Sequence, residues 1–387
     1  MKVAVIGGGV VGTALAHRLS EYAADVLLFE SGDLGQGASG VSFAWVNASS
    51  KDPGPYFDLC RRGMAAHRAL AKDLGNGTWL HQAGHLLWSD NEERTPMLQA
   101  RVHELRAAGY QIEMRPARVI AEALEPGVTF PSPDHPVVYA PEESWIDVPD
   151  LIQHLTRRAA TLGAEIHLRS HVDRIETADG TVVGVGCADG RQWHVDAVVN
   201  AAGASAGRVG ALVGQPLPMQ YSPGLVVRLR APGRLVHTAM HTPKVEIRPD
   251  SQGRILLHSR RVDALLESLD VDDNAQAVDM LMKLAVEVVP ALRGSDTQEA
   301  RIVCRPIPLD GLPSLGRLHE LGGYYEAVTH SGVTLAPAIA DLLSAAIIRS
   351  ESRPELTTFS PDRFDRTQIP ADTGARTDRG SAGAWNN

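Results

Sequence analysis

Cysteine is scarce in this chain of 387 residues: Cys60, Cys187 and Cys304 are too few and too scattered for a disulfide framework or a structural zinc site. Reduced thiols are the expectation. Lysine is also rare, at positions 2, 51, 72, 244 and 283, so the basic residues are mostly arginine. The formal net charge of −9, with no stripe of basic residues among aromatics, speaks against a nucleic-acid partner. No apolar run approaches the roughly 18 residues of a spanning helix, and a strand starting at Lys2 leaves no room for a cleavable leader. A cytoplasmic protein with no membrane partner is the expectation. His237 and His241 stand four apart, but Thr238, Thr242 and Pro243 give that stretch the character of strand and turn, and no metal is expected.

What the chain does have begins at its first residue. An apolar run, 2–6, leads into Gly7-Gly8-Gly9-Val10-Val11-Gly12, then a helix with Leu15, Ala16 and Leu19 at helical spacing, then a second apolar run, 26–29, ending on Glu30. This pattern binds the pyrophosphate and ribose of a dinucleotide. Gly7 permits the tight turn, Gly9 lets backbone N–H groups approach phosphates, and Gly12 lets helix and sheet pack closely. The helix N-terminus near Val10 supplies positive potential without a cationic side chain. Glu30 can accept hydrogen bonds from ribose hydroxyls and disfavours a 2′-phosphate there.

Two domains, or one interrupted by another, suit this length. Residues 31–50, rich in Gly, Ser and Ala and including Gly35-Gln36-Gly37-Ala38-Ser39-Gly40, read as a loop that hugs something. Helices are expected over 56–74 and 93–108 with a strand at 84–88 between them, and another helix from Ser144-Trp145-Ile146-Asp147-Val148-Pro149 to 162, capped by Gly163. A parallel strand, 165–168, and a hairpin, 172–177 with 182–188, follow. Strand 195–202 ends in Gly203-Ala204-Ser205-Ala206-Gly207, a GxSxG match that makes a serine hydrolase a formal rival, although no downstream His–acid pair stands out. Strands 225–230, 245–248 and 254–259, with the turn Asp250-Ser251-Gln252-Gly253, are antiparallel in style, interrupted by a helix at 274–289. The turn 308–313, strand 324–329 and helix 332–348 return to the style of the beginning. Residues from about 372 onward are polar and Gly/Ser-rich and are expected to be disordered.

Taken together, these segments resemble the D-amino-acid oxidase family of FAD-dependent oxidoreductases, in the style of its glycine oxidase and sarcosine oxidase branch. The resemblance rests on the fingerprint through Glu30, on Gly37-Ala38-Ser39-Gly40 and on Val198-Val199-Asn200-Ala201-Ala202-Gly203. It rests further on Arg305-Pro306 before Asp310-Gly311-Leu312-Pro313, and on Thr329-His330-Ser331-Gly332-Val333-Thr334-Leu335-Ala336-Pro337. It implies an α/β fold: a discontinuous Rossmann-type FAD-binding domain (1–80, 142–215 and 305–350) with an inserted, mainly antiparallel α+β substrate domain (81–141 and 216–304), and a C-terminal extension, 351–387. The strand pattern gives the same alternation independently. The implied cofactor is FAD, held without a covalent bond. Its implied contacts are Gly7, Gly9, Val10, Val11, Gly12, Glu30, Ser31, Ala38, Ser39, Ser42, Val172, Ala202, Gly203, Gly332, Val333 and Thr334. The N-terminus of the last helix would face the flavin N1–C2=O edge, and Pro337 in its first turn would cost no needed hydrogen bond.

The family's usual chemistry is hydride transfer from a carbon bearing nitrogen to flavin N5, giving an imine. The resemblance matches Arg305 to the arginine that pairs with a substrate carboxylate, a task suited to a planar guanidinium; the alternative is a structural pair with Asp310 or a backbone carbonyl. His330 is expected near flavin or substrate, or as a satisfied strand-end histidine. Trp45 and Asn47 are candidates to lie against the flavin, with packing and turn roles as alternatives. On the inserted sheet, period-two alternation puts Glu246 with Arg248 and His258 with Arg260; Tyr221, Glu246 and His258 are candidate pocket residues. Two departures stand out. Cys304 is one position from where sarcosine-type members attach flavin, and the strand 254–259 has no oxygen-activating lysine. The expected partners are a small amine or amino acid, O2 or another electron acceptor, and a second copy in a homo-oligomer. Oxidation of a C–C, C–O or N–O centre, or service as the FAD-binding subunit of a multi-subunit dehydrogenase, are the alternatives.

Overall fold

Val3, Ala4 and Val5 are fully buried because the strand Lys2–Ile6 sits inside a sheet, parallel to Asp25–Phe29 on one side and Ala197–Asn200 on the other. A strand covered on both faces reads as a continuous apolar run, as this one does. The computed structural model describes residues 1–75, 77–266 and 274–366; the expectation for the tail beyond about 372 lies outside them. The sheet has six strands in the order Ser314–Arg317, Tyr324–Val328, Ala197–Asn200, Lys2–Ile6, Asp25–Phe29, Glu165–His167, parallel except for the first. Val3, Val5, Val26 and Leu28 face a helical layer, while Ala4, Ile6, Leu27 and Phe29 face a small antiparallel sheet of Val172–Ala178, Thr181–Cys187 and Gln192–His194. In the helical layer Val10–Glu21 packs between Val148–Thr161 and Gly332–Arg349, and Pro55–Asp73 lies against the last of these.

The second large sheet has eight strands, drawn from 85–140 and 223–304. It is antiparallel but for one junction: Ala239–His241 runs parallel to His85–Leu87 and joins the two chain segments. The helix Asn274–Val288 covers it through Ala277, Leu281, Ala285 and Val288. The strands Glu113–Pro116, Pro136–Ala140, Asp296–Cys304 and Ser314–Arg317 are not fully legible in the sequence, since they are short, begin or end on proline, or lack a fully buried run.

Two expectations about the last helix change. Gly332–Arg349 has 18 residues and enough apolar character to cross a membrane by length and composition, but 72% of it is buried inside the fold. It is a core helix. Pro337 stands in its second turn rather than its first, so the carbonyl of Val333 loses its ordinary partner four residues on. His67 Nε2 donates to that carbonyl instead, at 2.7 Å. Burial holds this imidazole neutral, pushing its pKa down to about 4.

The eight-stranded sheet grips the 31–50 loop with arginines. Arg301 donates to Gln36 O at 2.6 Å, Arg228 to Gly40 O at 2.6 Å, and Arg248 to Phe43 O while its guanidinium lies 5.0 Å from the Trp145 ring centroid. The small-residue loop is thus pinned between the two units by backbone carbonyls, which needs no particular side chains from the loop itself.

Candidate active site

The turn after the first strand is constrained from three sides. Gly7 has φ +116°, and a Cβ there would lie 2.4 Å from Ala201 O; a Cβ on Gly12 would lie 1.9 Å from Gly7 O; one on Gly9 would meet Ser39 Oγ at 2.9 Å. Only glycines let the turn, the helix and the Ala201–Gly203 segment approach this closely. Gly9 offers no capping side chain, and Ser39 Oγ accepts from Val10 N–H at 3.0 Å. The remaining first-turn amides suit an anion. Glu30 braces the turn: Oε2 accepts from Gly8 N–H at 2.7 Å, and Oε1 from Gly32 N–H at 2.8 Å and Ser31 Oγ at 3.1 Å. A carboxylate has about four lone-pair sites, so acceptor capacity remains for one more donor, such as a ribose hydroxyl, and a second could enter by displacing the Ser31 hydroxyl. Ser170 N–H donates to Glu30 O at 2.8 Å, bringing the Val172 strand alongside. Ala202 N–H donates to Asn200 Oδ1 at 3.3 Å, and Gly203 has φ +57°. Ala38 is half-buried in the pinned loop, whereas Ser42 is engaged locally, accepting from Ala44 N–H at 2.9 Å.

The two nucleotide-style helix N-termini meet: a Cβ on Gly332 would lie 3.4 Å from Val11 Cγ2. Thr334 Oγ1 donates to Trp45 O at 3.1 Å and accepts from Asn47 N–H at 3.3 Å, which fixes residues 45–47 beside the start of the last helix. Asn47 itself takes the turn role, its Oδ1 accepting from Ser50 Oγ at 2.6 Å and its Nδ2 donating to Trp45 O at 3.3 Å. Trp45 packs against His85 and His241, both with ring centroids 4.2 Å away, and its indole N–H donates to Glu143 at 2.7 Å.

His330 is solvent-accessible, yet it is so enclosed by protein that desolvation, aided by the positive charges of Lys51, Arg305, Arg260 and His258, pushes its pKa down to about 3. That combination places it on the wall of an interior cleft. Arg305 is 24% exposed there. It donates through Nη1 to Ser222 Oγ at 3.0 Å and through Nη2 to Asp263 Oδ2, not to Asp310, whose carboxylate pairs with Arg363 instead. His258 Nε2 also donates to Asp263 Oδ2, at 2.7 Å, while Nδ1 meets Glu246 at 2.5 Å. The 2.9 Å approach of Arg305 Nη2 to His258 Nε2 follows from two donors sharing one carboxylate oxygen. Burial alone would lower the His258 pKa, but Glu246 and Asp263 outweigh it and push it up to about 9. Burial works to raise both carboxyls, and the neighbouring cations overcome it, holding Asp263 below and Glu246 well below their ordinary values.

From Glu246 the polar chain continues. His241 Nε2 lies 3.6 Å from Glu246 Oε1, His241 Nδ1 2.7 Å from His85 Nε2, and His85 Nδ1 3.4 Å from Glu143 Oε2. Burial pushes the Glu143 carboxyl up to about 7 against hydrogen bonds from Ser49, Tyr110 and Trp45. His241 and His237 go to different partners, the latter 3.6 Å from Glu125, so they form no shared ligand pair. Ser205 of the GxSxG match accepts from Arg208 at 2.8 Å, and no histidine bonds it among the described residues.

Tyr221 is 46% exposed and joins no hydrogen bond among the described residues, and its neighbour Ser222 touches Arg305. One expectation needs correction. The strand ends at His258 and the helix Arg260–Leu266 begins, so alternation does not govern Arg260, which reaches Glu246 at 3.8 Å from the helix. Asp263, Ser222, Lys51 and Glu143 escape sequence reasoning. Asp263 left one signal: an acid between Val262 and Leu265-Leu266, in a helix whose other inward residues are apolar.

The proton held by His258 makes stability fall with pH. Its folded pKa lies above the unfolded value near 6.5, so the contribution is complete below that value and is lost as pH rises through about 9. The melting temperature is expected to drop by several degrees between pH 7 and 9.5, and His258→Asn should flatten the profile; a flat wild-type profile would count against a protonated His258.

A parallel sheet with a glycine-rich first turn, an acid closing the second strand, and an antiparallel sheet inserted above it define a dinucleotide-dependent oxidoreductase. The chain belongs to the FAD dependent oxidoreductase family, whose model matches residues 2–346. Among characterised relatives it is 29% identical over 380 residues to glycine oxidase of Geobacillus kaustophilus, covering 93% of this chain and 96% of that one. It is 24% identical over 376 residues to glycine oxidase of Bacillus licheniformis, again covering 93% and 96%. The crystal structure of the G. kaustophilus glycine oxidase superposes with a TM-score of 0.82 at 27% identity, covering 94% and 98%. The cofactor is FAD, and the residues present fit it: a glycine cradle that any Cβ would fill, Glu30 with spare acceptor capacity, and adjoining helix N-termini at Val10 and Gly332.

Proposed function

We propose that the enzyme oxidises the C–N carbon of a small amine or amino acid bearing a carboxylate, giving an imine. Arg305 carries this reading: a guanidinium facing an interior cleft, held by Asp263 on Nη2, with one Nη1 hydrogen on Ser222 and the other available to a carboxylate. Bound FAD supplies the two-electron acceptor. His330, uncharged at neutral pH, serves as a hydrogen-bond partner rather than a charged anchor. The buried chain from Asp263 to Glu143 holds the cleft wall in one arrangement. The likeness to glycine oxidase supports a C–N bond over the C–C, C–O and N–O alternatives.

The test is the visible spectrum of the purified protein before and after acid precipitation, followed by anaerobic titration with amino acids and secondary amines. Flavin bands that stay in the supernatant and bleach with a carboxylated amine, but not with its decarboxylated analogue, are the expected result. Holoenzyme that no amine reduces would sink the proposal.

A further inference from the structure

We propose that the substrate carries a second anionic group, a carboxylate, and that Lys51 receives it; the inference rests on Arg305 as the anchor of the first.

Four cationic groups, Lys51, Arg305, Arg260 and His258, act electrostatically on His330, and the carboxylates of Asp263 and Glu246 stand against three of them. The two acids are committed. Asp263 takes Arg305 and His258, and Glu246 takes His258 with Arg260 more distant at 3.8 Å. Lys51 has no carboxylate within ion-pair distance among the described residues, because the adjacent acid, Asp52, pairs with Arg101 at 3.0 Å. Its ammonium lies 4.9 Å from the centroid of Tyr56, and the Tyr56 hydroxyl donates to Ser331 Oγ at 2.8 Å. Lys51 therefore stands beside the 330–332 turn, at the start of the last helix.

The loop is built to keep it there. Lys51 N–H donates to Ala48 O at 2.9 Å, and the buried Arg101 guanidinium donates to the carbonyls of both Ser49 and Lys51. Asn47 and Ser50 close the preceding turn. The same guanidinium pairs with Asp52 at 3.0 Å and Glu104 at 2.8 Å, so it fixes the whole 49–52 turn from which the Lys51 side chain projects. A desolvated cation without a counter-ion is costly, and burial lowers the Lys51 pKa accordingly. Counted with the amine neutral, as hydride transfer requires, a substrate with one carboxylate leaves one of the positive charges around His330 uncompensated; a substrate with two, such as a secondary amine bearing a carboxylate on each arm or an acidic amino acid, neutralises it.

The experiment uses two ligands without an oxidisable nitrogen, titrated into purified holoenzyme and followed by the perturbation of the flavin spectrum. Oxydiacetate has two carboxylates flanking an ether oxygen, and methoxyacetate keeps the same skeleton with one. Oxydiacetate is expected to bind about 10- to 100-fold more tightly. In Lys51→Met this advantage should shrink to about threefold or less, with the methoxyacetate Kd little changed, and Lys51→Arg should retain most of it. Equal affinity of the two ligands for the wild type, or an advantage that survives Lys51→Met, overturns the proposal. Arg305→Met separates the two readings. Loss of methoxyacetate binding there upholds the first anchor whatever Lys51 does, and unchanged binding there removes the anchor and this proposal with it.

Discussion

A Gly12→Ala protein is expected to purify without its yellow colour. The added Cβ would sit 1.9 Å from the carbonyl oxygen of Gly7, a backbone atom that cannot swing aside. Gly7 has no slack either, because its own φ of +116° and the nearby Ala201 carbonyl hold it in place. The helix must therefore move off the sheet. Overpacking of this kind costs about 1–3 kcal/mol or more, and the displacement also carries away the remaining first-turn amides, those of Val11 and Gly12. The ratio of flavin to protein absorbance should fall by roughly tenfold or more at working concentrations. Gly37→Ala is the matching control, since a Cβ there meets nothing within 4 Å, and it should remain yellow. A yellow Gly12→Ala protein with unchanged FAD affinity would show that the turn tolerates what the geometry forbids.

Arg305→Met should raise KM for a carboxylated amine by about 100- to 1000-fold, in keeping with the loss of a charged hydrogen-bonded partner in an enclosed site. The protein should still fold and retain FAD, because Asp263 keeps His258 and the Leu225 N–H as donors after Arg305 is gone. The converse change behaves differently. Asp263→Ala leaves His258 and Arg305 facing each other with no shared acceptor, and removing one member of a buried ionic group in this way costs on the order of 3–5 kcal/mol of stability. Steady-state kinetics with an amino acid and its decarboxylated analogue separate the cases: Arg305→Met should abolish the preference for the carboxylate, and an unaltered preference would count against the anchor.

The nucleotide half is legible because its signals are local. Buried parallel strands read as apolar runs, and Gly7, Gly9, Gly12 and Glu30 fall at fixed spacings, so the sequence near residue 10 carries its own geometry. The substrate side is not local. Arg305 finds Asp263 across the Pro223–Arg230 strand, and Glu246 meets His258 only because the hairpin register pairs those positions. Arg260 is misplaced by extending a strand one residue past its end, where a helix takes over. Tyr221 draws attention by its ring, whereas the plain hydroxyl of Ser222 makes the contact. Lys51 and Glu143 carry no motif at all. Their positions follow from packing among Arg101, Tyr110 and Trp45, which are distant in sequence and meet only in the finished fold.

The strand Lys2–Ile6 leaves the ribosome long before both of its edges can be satisfied. Lys2–Ile6 pairs early with Asp25–Phe29, but its other edge waits for Ala197–Asn200, which in turn waits for Tyr324–Val328. Through most of synthesis the nascent chain carries an unpaired apolar strand edge, the feature that recruits chaperones or a neighbouring chain. Cofactor capture is then expected to be a closing event, since the helix whose N-terminus adjoins the glycine-rich turn begins at Gly332. Polypeptides halted before that residue should emerge flavin-free and prone to aggregate, and supply of FAD should govern the yield of soluble enzyme late in translation rather than early.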